Sequence, residues 1–232
     1  MGLMNQIRIG MVLFPRLNQL DVAGAYEVFA RIPDAQVSLV AETRAPTHCE
    51  FGLALTPDLT FEEAPPFDIL LVPGGRGVNA AMESEPVLSF LRRQEPGATW
   101  VTSVCTGALV LGAAGLLRGY RATTHWLSLE LLAPLGATPV RERVVVDRNR
   151  ITGVGITAGI DFGLRLAAEL RGEQVAQEIQ LTLEYDPAPP FQAGSPRTAP
   201  PSLVESVSAR RRALQEERSQ IVTRAARRLG LG

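Results

Sequence analysis

Residues 100–117 read WVTSVCTGALVLGAAGLL, an apolar run of β character that delivers one cysteine to the start of a small-residue segment. Val101 and Val104, with the Trp and Thr around them, suit a buried strand. Ala108 to Leu117 is too long for a second strand and reads as a buried helix. Cys105 therefore falls on the turn between the two. Strand, tight turn and helix make the geometry of a nucleophile elbow, which raises one side chain above the C-terminal edge of a parallel sheet. Gly107 relieves crowding at that turn. Free backbone N–H groups at a helix start and the positive end of its dipole favour an anion, which predicts a Cys105 thiol that ionises below its ordinary value. A free cysteine near 8.5 is only about 3% thiolate at neutral pH. The competing reading is an inert buried cysteine used as a small hydrophobe; the Thr106-Gly107 pair that follows favours the elbow.

Working outward, β-type and helical patterns alternate. Ile7 to Phe14 (IRIGMVLF) is a buried strand ended by Pro15. The loop after it leads to Asp21, a natural N-cap for a helix in which Val22, Ala25, Val28 and Phe29 recur at helical spacing. Ala35 to Glu42 is a second strand, and Thr47 to Thr56 an antiparallel hairpin holding Cys49, a bystander with no partner base nearby. Asp68 to Pro73 runs into Gly74-Gly75-Arg76-Gly77, a turn whose N–H groups are free to donate and whose backbone can approach a ligand closely. Neither a dinucleotide fingerprint nor a P-loop is spelled there. A helix over Glu85 to Gln94 precedes the Cys105 strand. Arg121 to Thr124, His125 and a helix ending near Gly136 follow it, then a hairpin across Arg148-Asn149.

Gly153 to Gly159 introduces a helix over Ile160 to Leu170, and another runs from Glu173 to about Tyr185. Repeated βαβ order predicts an α/β fold, a mostly parallel sheet with helices on both faces. Asp186 to Ser202 holds six prolines and reads as a strap. The C-terminal helix, residues 203–229, places Leu203, Val207, Leu214, Ile221, Ala225 and Leu229 on one face, which must dock on the body or on a second subunit. Its arginine runs, Arg210 to Arg212 and Arg227-Arg228, read as a solvated face paired with nearby Glu. Strap and helix are too small to stand apart, so residues 1–232 read as one domain.

Of the 232 residues 46% are hydrophobic, and the net charge of -1 argues against nucleic acid as a partner. All 23 basic residues are Arg. No secretory signal and no run of transmembrane length is read. Two cysteines without a secretory context predict free thiols in the cytoplasm. The two histidines, His48 and His125, have no spacing that suggests a metal site. His125 reads as a satisfied residue at a strand end.

LDVAG, LLVPGG, the Cys105 elbow, RATTHW, ITAGIDF and the LEYDPAPPFQAGSP strap together resemble the ThiJ/PfpI superfamily across nearly the whole chain. The resemblance implies a flavodoxin-like fold and a homodimer. It is nearest to the branch that adds water to an isocyanide, giving an N-substituted formamide without metal or organic cofactor. It implies Cys105 as nucleophile, Asp21 as acid and base in place of a helix cap, and Thr106 in place of the His that follows the cysteine in protease-like branches. Backbone groups at Gly74, Gly75 and Ile156 would bind substrate or stabilise charge. Relatives place Gly or Ala where Val154 stands. Regulatory members of the superfamily carry a helix-turn-helix region for which the tail is too short. A glyoxalase-like enzyme acting on small aldehydes and a non-catalytic redox-sensing thiol protein are the alternatives.

Overall fold

The computed structural model describes residues 6–231. The central sheet is built from β1 (Ile7–Val12), β2 (Ala35–Ala41), β5 (Leu59–Thr60), β6 (Ile69–Val72), β7 (Trp100–Val104), β10 (Val144–Asp147) and β11 (Arg150–Gly153). Its order is β10-β11-β7-β6-β1-β2-β5, parallel throughout except for β10, which runs antiparallel to β11. Two small pairs lie outside it: β3 (Thr47–His48) with β4 (Ala54–Leu55), and β8 (Arg121–Ala122) with β9 (Thr138–Pro139). The helices are α1 (Gln19–Phe29), α2 (Val78–Ala81), α3 (Glu85–Gln94), α4 (Gly107–Ala113), α5 (Ala158–Arg171), α6 (Glu173–Thr182) and α7 (Pro201–Arg228), with a 3₁₀ segment over Trp126–Leu135.

All four residues of β6 are buried, as a strand covered on both faces requires. From β1 the chain moves one way to β2. After β6 it moves the other way, through β7 to β11. Right-handed crossovers therefore place α1 on one face and α3 and α4 on the opposite face. α5 packs on α1 and completes the first face. This α/β, flavodoxin-like arrangement has its topological switch between β1 and β6, and their carboxyl ends open a crevice there. β7 lies beside β6, with Val72 paired to Ser103 and Gly153 to Val104, so the loops after β1, β6, β7 and β11 meet at one edge.

α4 stops at Ala113, four residues short of the expected end. Gly115 takes φ 83°, and the Leu116 N–H turns back to the Leu111 carbonyl at 3.0 Å, a Schellman closure that left-handed glycine permits. The segment before Gly136 is 3₁₀ in place of a regular α-helix and contains Pro134. Residues 183–200 hold no helix or strand, as expected for the strap. Of the predicted apolar stripe on α7, Ile221 and Ala225 are buried. α7 packs along the 3₁₀ segment, α4 and α2 of its own chain. Among the described residues no helix is long and apolar enough to cross a membrane.

Candidate active site

Cys105 sits on the turn between β7 and α4 at φ 56°, a left-handed conformation that is costly for a residue with a side chain. Its backbone is pinned on both sides. The Cys105 N–H donates to the carbonyl of Gly153 at 3.0 Å and, more weakly, to that of Val154 at 3.3 Å, while the Thr124 hydroxyl donates to the Cys105 carbonyl at 2.6 Å. Gly74 is held against the turn so closely that a Cβ there would lie 2.5 Å from Thr106 N and 2.8 Å from Cys105 Cβ. Glycine at position 74 is thus a condition of the elbow. A Cβ at Gly107 would collide with the Val72 carbonyl, which accounts for the small residue after Thr106.

Asp21 is fully buried, and it does not cap α1. Asn18 does, its side chain accepting the Leu20 N–H at 3.0 Å, so that Asp21 stands in the first turn with its carboxyl directed inward. Asp21 Oδ2 accepts the Gly74 N–H at 2.7 Å. Oδ1 is buried with no hydrogen-bond partner, and the nearby Cys105 side chain favours the charged form of the carboxyl. The Gly75 N–H donates to Thr106 Oγ1 at 3.2 Å. The expectation that Gly74 and Gly75 present free N–H groups to a substrate is therefore corrected. Both are occupied in orienting the Asp21 and Thr106 side chains.

Burial raises the Asp21 pKa from its ordinary 3.8 to about 7, against the lowering effect of the Gly74 N–H. Burial also pushes the Cys105 thiol up, and the Asp21 charge adds to it; the Thr106 N–H and hydroxyl and the Arg218 cation oppose. The predicted low-pKa thiol is overturned for a plain reason. The expectation counted the helix start and ignored desolvation, which penalises an isolated anion more than one short helix favours it. The two groups titrate as a pair that holds one proton above about pH 7.

Cys105 and Thr106 open onto a cavity of about 160 Å³ that Gly75, His125, Ile156 and Trp126 also line. Its roof is the N-terminal and middle part of α7, through Val207, Arg211, Leu214, Gln215 and Arg218. The solvated-arginine reading fails at Arg211, which faces the cavity 3.9 Å from Glu50; Glu50 is held by Arg76 at 2.8 Å. His125 caps the 3₁₀ segment, Nδ1 accepting the Leu127 N–H at 3.3 Å, and burial lowers its pKa to about 4. It is neutral at neutral pH. Cys49 is buried away from the cavity, its pKa raised by desolvation. Among the described residues no cluster of His, Cys, Asp and Glu is placed to hold a metal ion.

Sequence reasoning missed three residues. Asn18 carries an ordinary cap signal, Asn before a helical run, which the nearby Asp21 obscured. Thr124 stands in RATTHW with nothing local to show that it reaches the Cys105 carbonyl. Arg218, 3% exposed, lies among six other arginines and three glutamates of α7, and only the packing of the helix singles it out.

A buried cysteine on a strained strand-helix turn, beside a carboxyl from the first helix, lies at the switch point of an α/β sheet, where proteins of this architecture bind their ligands. The chain belongs to the DJ-1/PfpI family, whose model matches residues 7–169. It is 53% identical over 225 residues to an isonitrile hydratase of Pseudomonas putida, covering 97% of this chain and 99% of that protein. The crystal structure of a ThiJ/PfpI family protein from Pseudomonas syringae superposes with a TM-score of 0.91 at 40% identity, over 96% of this chain and 91% of that one. Drosophila melanogaster DJ-1beta gives 0.72 at 26% identity, covering 79% of this chain and all of its own.

Proposed function

We propose that this chain hydrates isocyanides to N-substituted formamides, with Cys105 as nucleophile, Asp21 as acid and base, and Thr106 positioning water or substrate, and with no metal or organic cofactor. One observation carries the reading. The likeness to the Pseudomonas putida isonitrile hydratase extends over 97% of the chain, and so takes in the helix that roofs the Cys105 cavity as well as the elbow itself.

The chemistry follows from the pair. The terminal carbon of R–N≡C accepts a thiolate only if it is protonated as the C–S bond forms, so a nucleophile and an acid must lie side by side. The one proton held by Asp21 and Cys105 passes to that carbon while the sulfur adds to it, giving the thioimidate R–N=CH–S–Cys105 and an Asp21 carboxylate. Water then attacks the same carbon. Asp21 takes one water proton and passes it to nitrogen, which receives the C=N electron pair. When the C–S bond breaks, its electrons return to sulfur, and the remaining hydroxyl proton returns to Asp21. The product is R–NH–CHO. The pair ends in the one-proton state in which it began.

Incubation with an aryl or cyclohexyl isocyanide, followed by mass spectrometry of the small molecules, tests the reading directly. Formamide formation that is lost in Cys105→Ala supports it. Lactate from methylglyoxal without formamide would assign aldehyde chemistry instead, and peroxide-dependent partner binding without turnover would assign a thiol sensor.

We also infer one domain and a cytoplasmic homodimer. Leu203 at the start of α7 and Phe191 in the strap are 43% and 77% exposed, large apolar side chains that a second copy would cover. The two cysteines are free, as suits a reducing compartment.

A further inference from the structure

Arg218 is buried in the wall of the Cys105 cavity, and no carboxylate is paired with it among the described residues. Its Nε donates to Asn79 Oδ1 at 2.9 Å, Nη1 to Ser128 Oγ at 3.1 Å, and Nη2 more weakly to the Gly75 carbonyl at 3.5 Å. Every one of these acceptors is neutral. With the Gln215 amide turned to satisfy both its ends, Gln215 also accepts from Nη1, at 3.3 Å. A guanidinium fixed so completely is oriented, but its charge is left uncompensated by hydrogen bonds to neutral groups. The one glutamate lining the cavity, Glu50, is taken by Arg76 and Arg211.

Arg218 and the Cys105 sulfur line the same cavity. A negative charge on that sulfur favours the Arg218 cation, and the Arg218 cation favours ionisation of the thiol, each against the effect of burial. The carbonyl Arg218 touches belongs to Gly75, whose N–H orients Thr106. The groups set around the pair are thus Asp21 from α1, Glu50 from the hairpin end, Arg76 from the loop after β6, neutral His125, and Arg211 and Glu217 from α7 itself. Of the cations among them, Arg76 and Arg211 already share Glu50.

We propose that Arg218 is the counter-charge of the Cys105–Asp21 pair, a positioning residue through which α7 completes the active site. It has a structural corollary. The matched family model ends at residue 169, so the cation comes from a segment appended to the shared core. Arg218 holds the pair in its singly protonated form by favouring negative charge on sulfur. The pair is that of the proposed reaction, but the inference does not depend on the isocyanide.

The test uses the full chain with Arg218→Met, Arg218→Lys and Arg224→Met. Arg224 lies on the same helix but is exposed and paired with Glu83 at 2.8 Å, so its loss removes one positive charge without touching the pair. Iodoacetamide alkylation of Cys105 is followed across pH by site-resolved mass spectrometry, which needs no substrate. Arg218→Met is expected to move the midpoint of Cys105 reactivity up by roughly one pH unit or more, slowing alkylation near neutral pH about tenfold. Arg218→Lys should keep most of the wild-type profile, and Arg224→Met all of it. Superimposed profiles for wild type and Arg218→Met would overturn the proposal. An equal shift in Arg224→Met would do so too, because any cation on the helix would then suffice. If Arg218→Met does not fold, Arg218→Gln and Arg218→Lys replace it. A Gln profile shifted upward beside an unshifted Lys profile supports the counter-charge, and coincident Gln and Lys profiles reject it. Failure of isocyanide hydration with an Arg218-dependent profile would remove the substrate and leave this inference standing.

Discussion

Asp21 reaches from the first turn of α1 to the Gly74 N–H at 2.7 Å, and this bond fixes which carboxyl oxygen stays available to Cys105. One carboxyl thereby ties together the loops after β1, β6 and β7. It is neither a cap nor a surface charge, and its environment makes its consequences measurable.

Asp21→Asn should lower turnover by about 10² to 10⁴, because the amide cannot supply or take up the proton that passes between sulfur, carbon and nitrogen. Since Asn18 caps α1, the loss is not a capping effect. Steady-state rates on an isocyanide, with thermal melts as a control for folding, check this. A variant retaining more than about a third of wild-type turnover, far inside that range, contradicts the mechanism.

The pKa of Asp21 is raised on folding, from 3.8 to about 7, so the folded chain binds this proton more tightly than the unfolded chain does. Its contribution to stability is therefore complete below about pH 4 and declines as pH rises toward 7, at up to roughly 1.4 kcal/mol per pH unit. Relative to wild type, Asp21→Asn should gain stability between those limits. Denaturant melts at several pH values measure the difference; parallel curves for the two proteins would show that Asp21 is not the group responsible. In the wild type, kcat/KM should fall about tenfold per pH unit below 7, where the pair takes up its second proton.

Cys105 lines the cavity under α7 and Cys49 does not. Isocyanide and small alkylating agents should add mass to Cys105 first, and Cys105→Ala should abolish both the adduct and turnover. Equal labelling of the two thiols in the folded protein would rule out a selectively accessible nucleophile.

Gly74→Ala places a methyl group against Thr106 N and Cys105 Cβ, in backbone that cannot yield without moving the nucleophile. A stability cost of about 1–3 kcal/mol is expected, with turnover down about 10²-fold from displacement of the reacting atom. Gly97→Ala, where nothing lies within 4 Å, is the control and should stay within about 0.5 kcal/mol of wild type. Similar effects from the two substitutions would mean that the close approach at Gly74 does not matter.

Ending the chain at Pro200 removes α7 and uncovers Ile221's and Ala225's docking surface on the 3₁₀ segment and α4, so solubility should fall. Light scattering on the full chain should give twice the chain mass. A soluble, active, monomeric truncation would set aside both the dimer and the role of α7.

The alternation of buried strands and helices, and the elbow at Cys105, were legible from sequence because they rest on local patterns: apolar periodicity, a turn between two runs, glycine where backbone crowds. Hydrogen-bond partners were not legible. Asp21 carries the signal of a helix cap, and only the meeting of the β1 and β6 loops at the sheet edge turns it toward Gly74 and Cys105. The N–H groups of Gly74 and Gly75 looked free because the side chains that take them lie 53 and 31 residues away in the chain. The low thiol pKa was misjudged because desolvation is a property of the packed interior, and helix position is a property of the sequence. Arg218 is the extreme case. One arginine among several on a polar helix, it is set apart only by the docking of α7, which leaves Glu217 and Ser219 beside it exposed and carries this guanidinium to the wall of the Cys105 cavity. Local pattern determined the elements and the cysteine elbow. Tertiary packing decided the charges around it, because electrostatic energy depends on burial and distance, which nearness in sequence does not report.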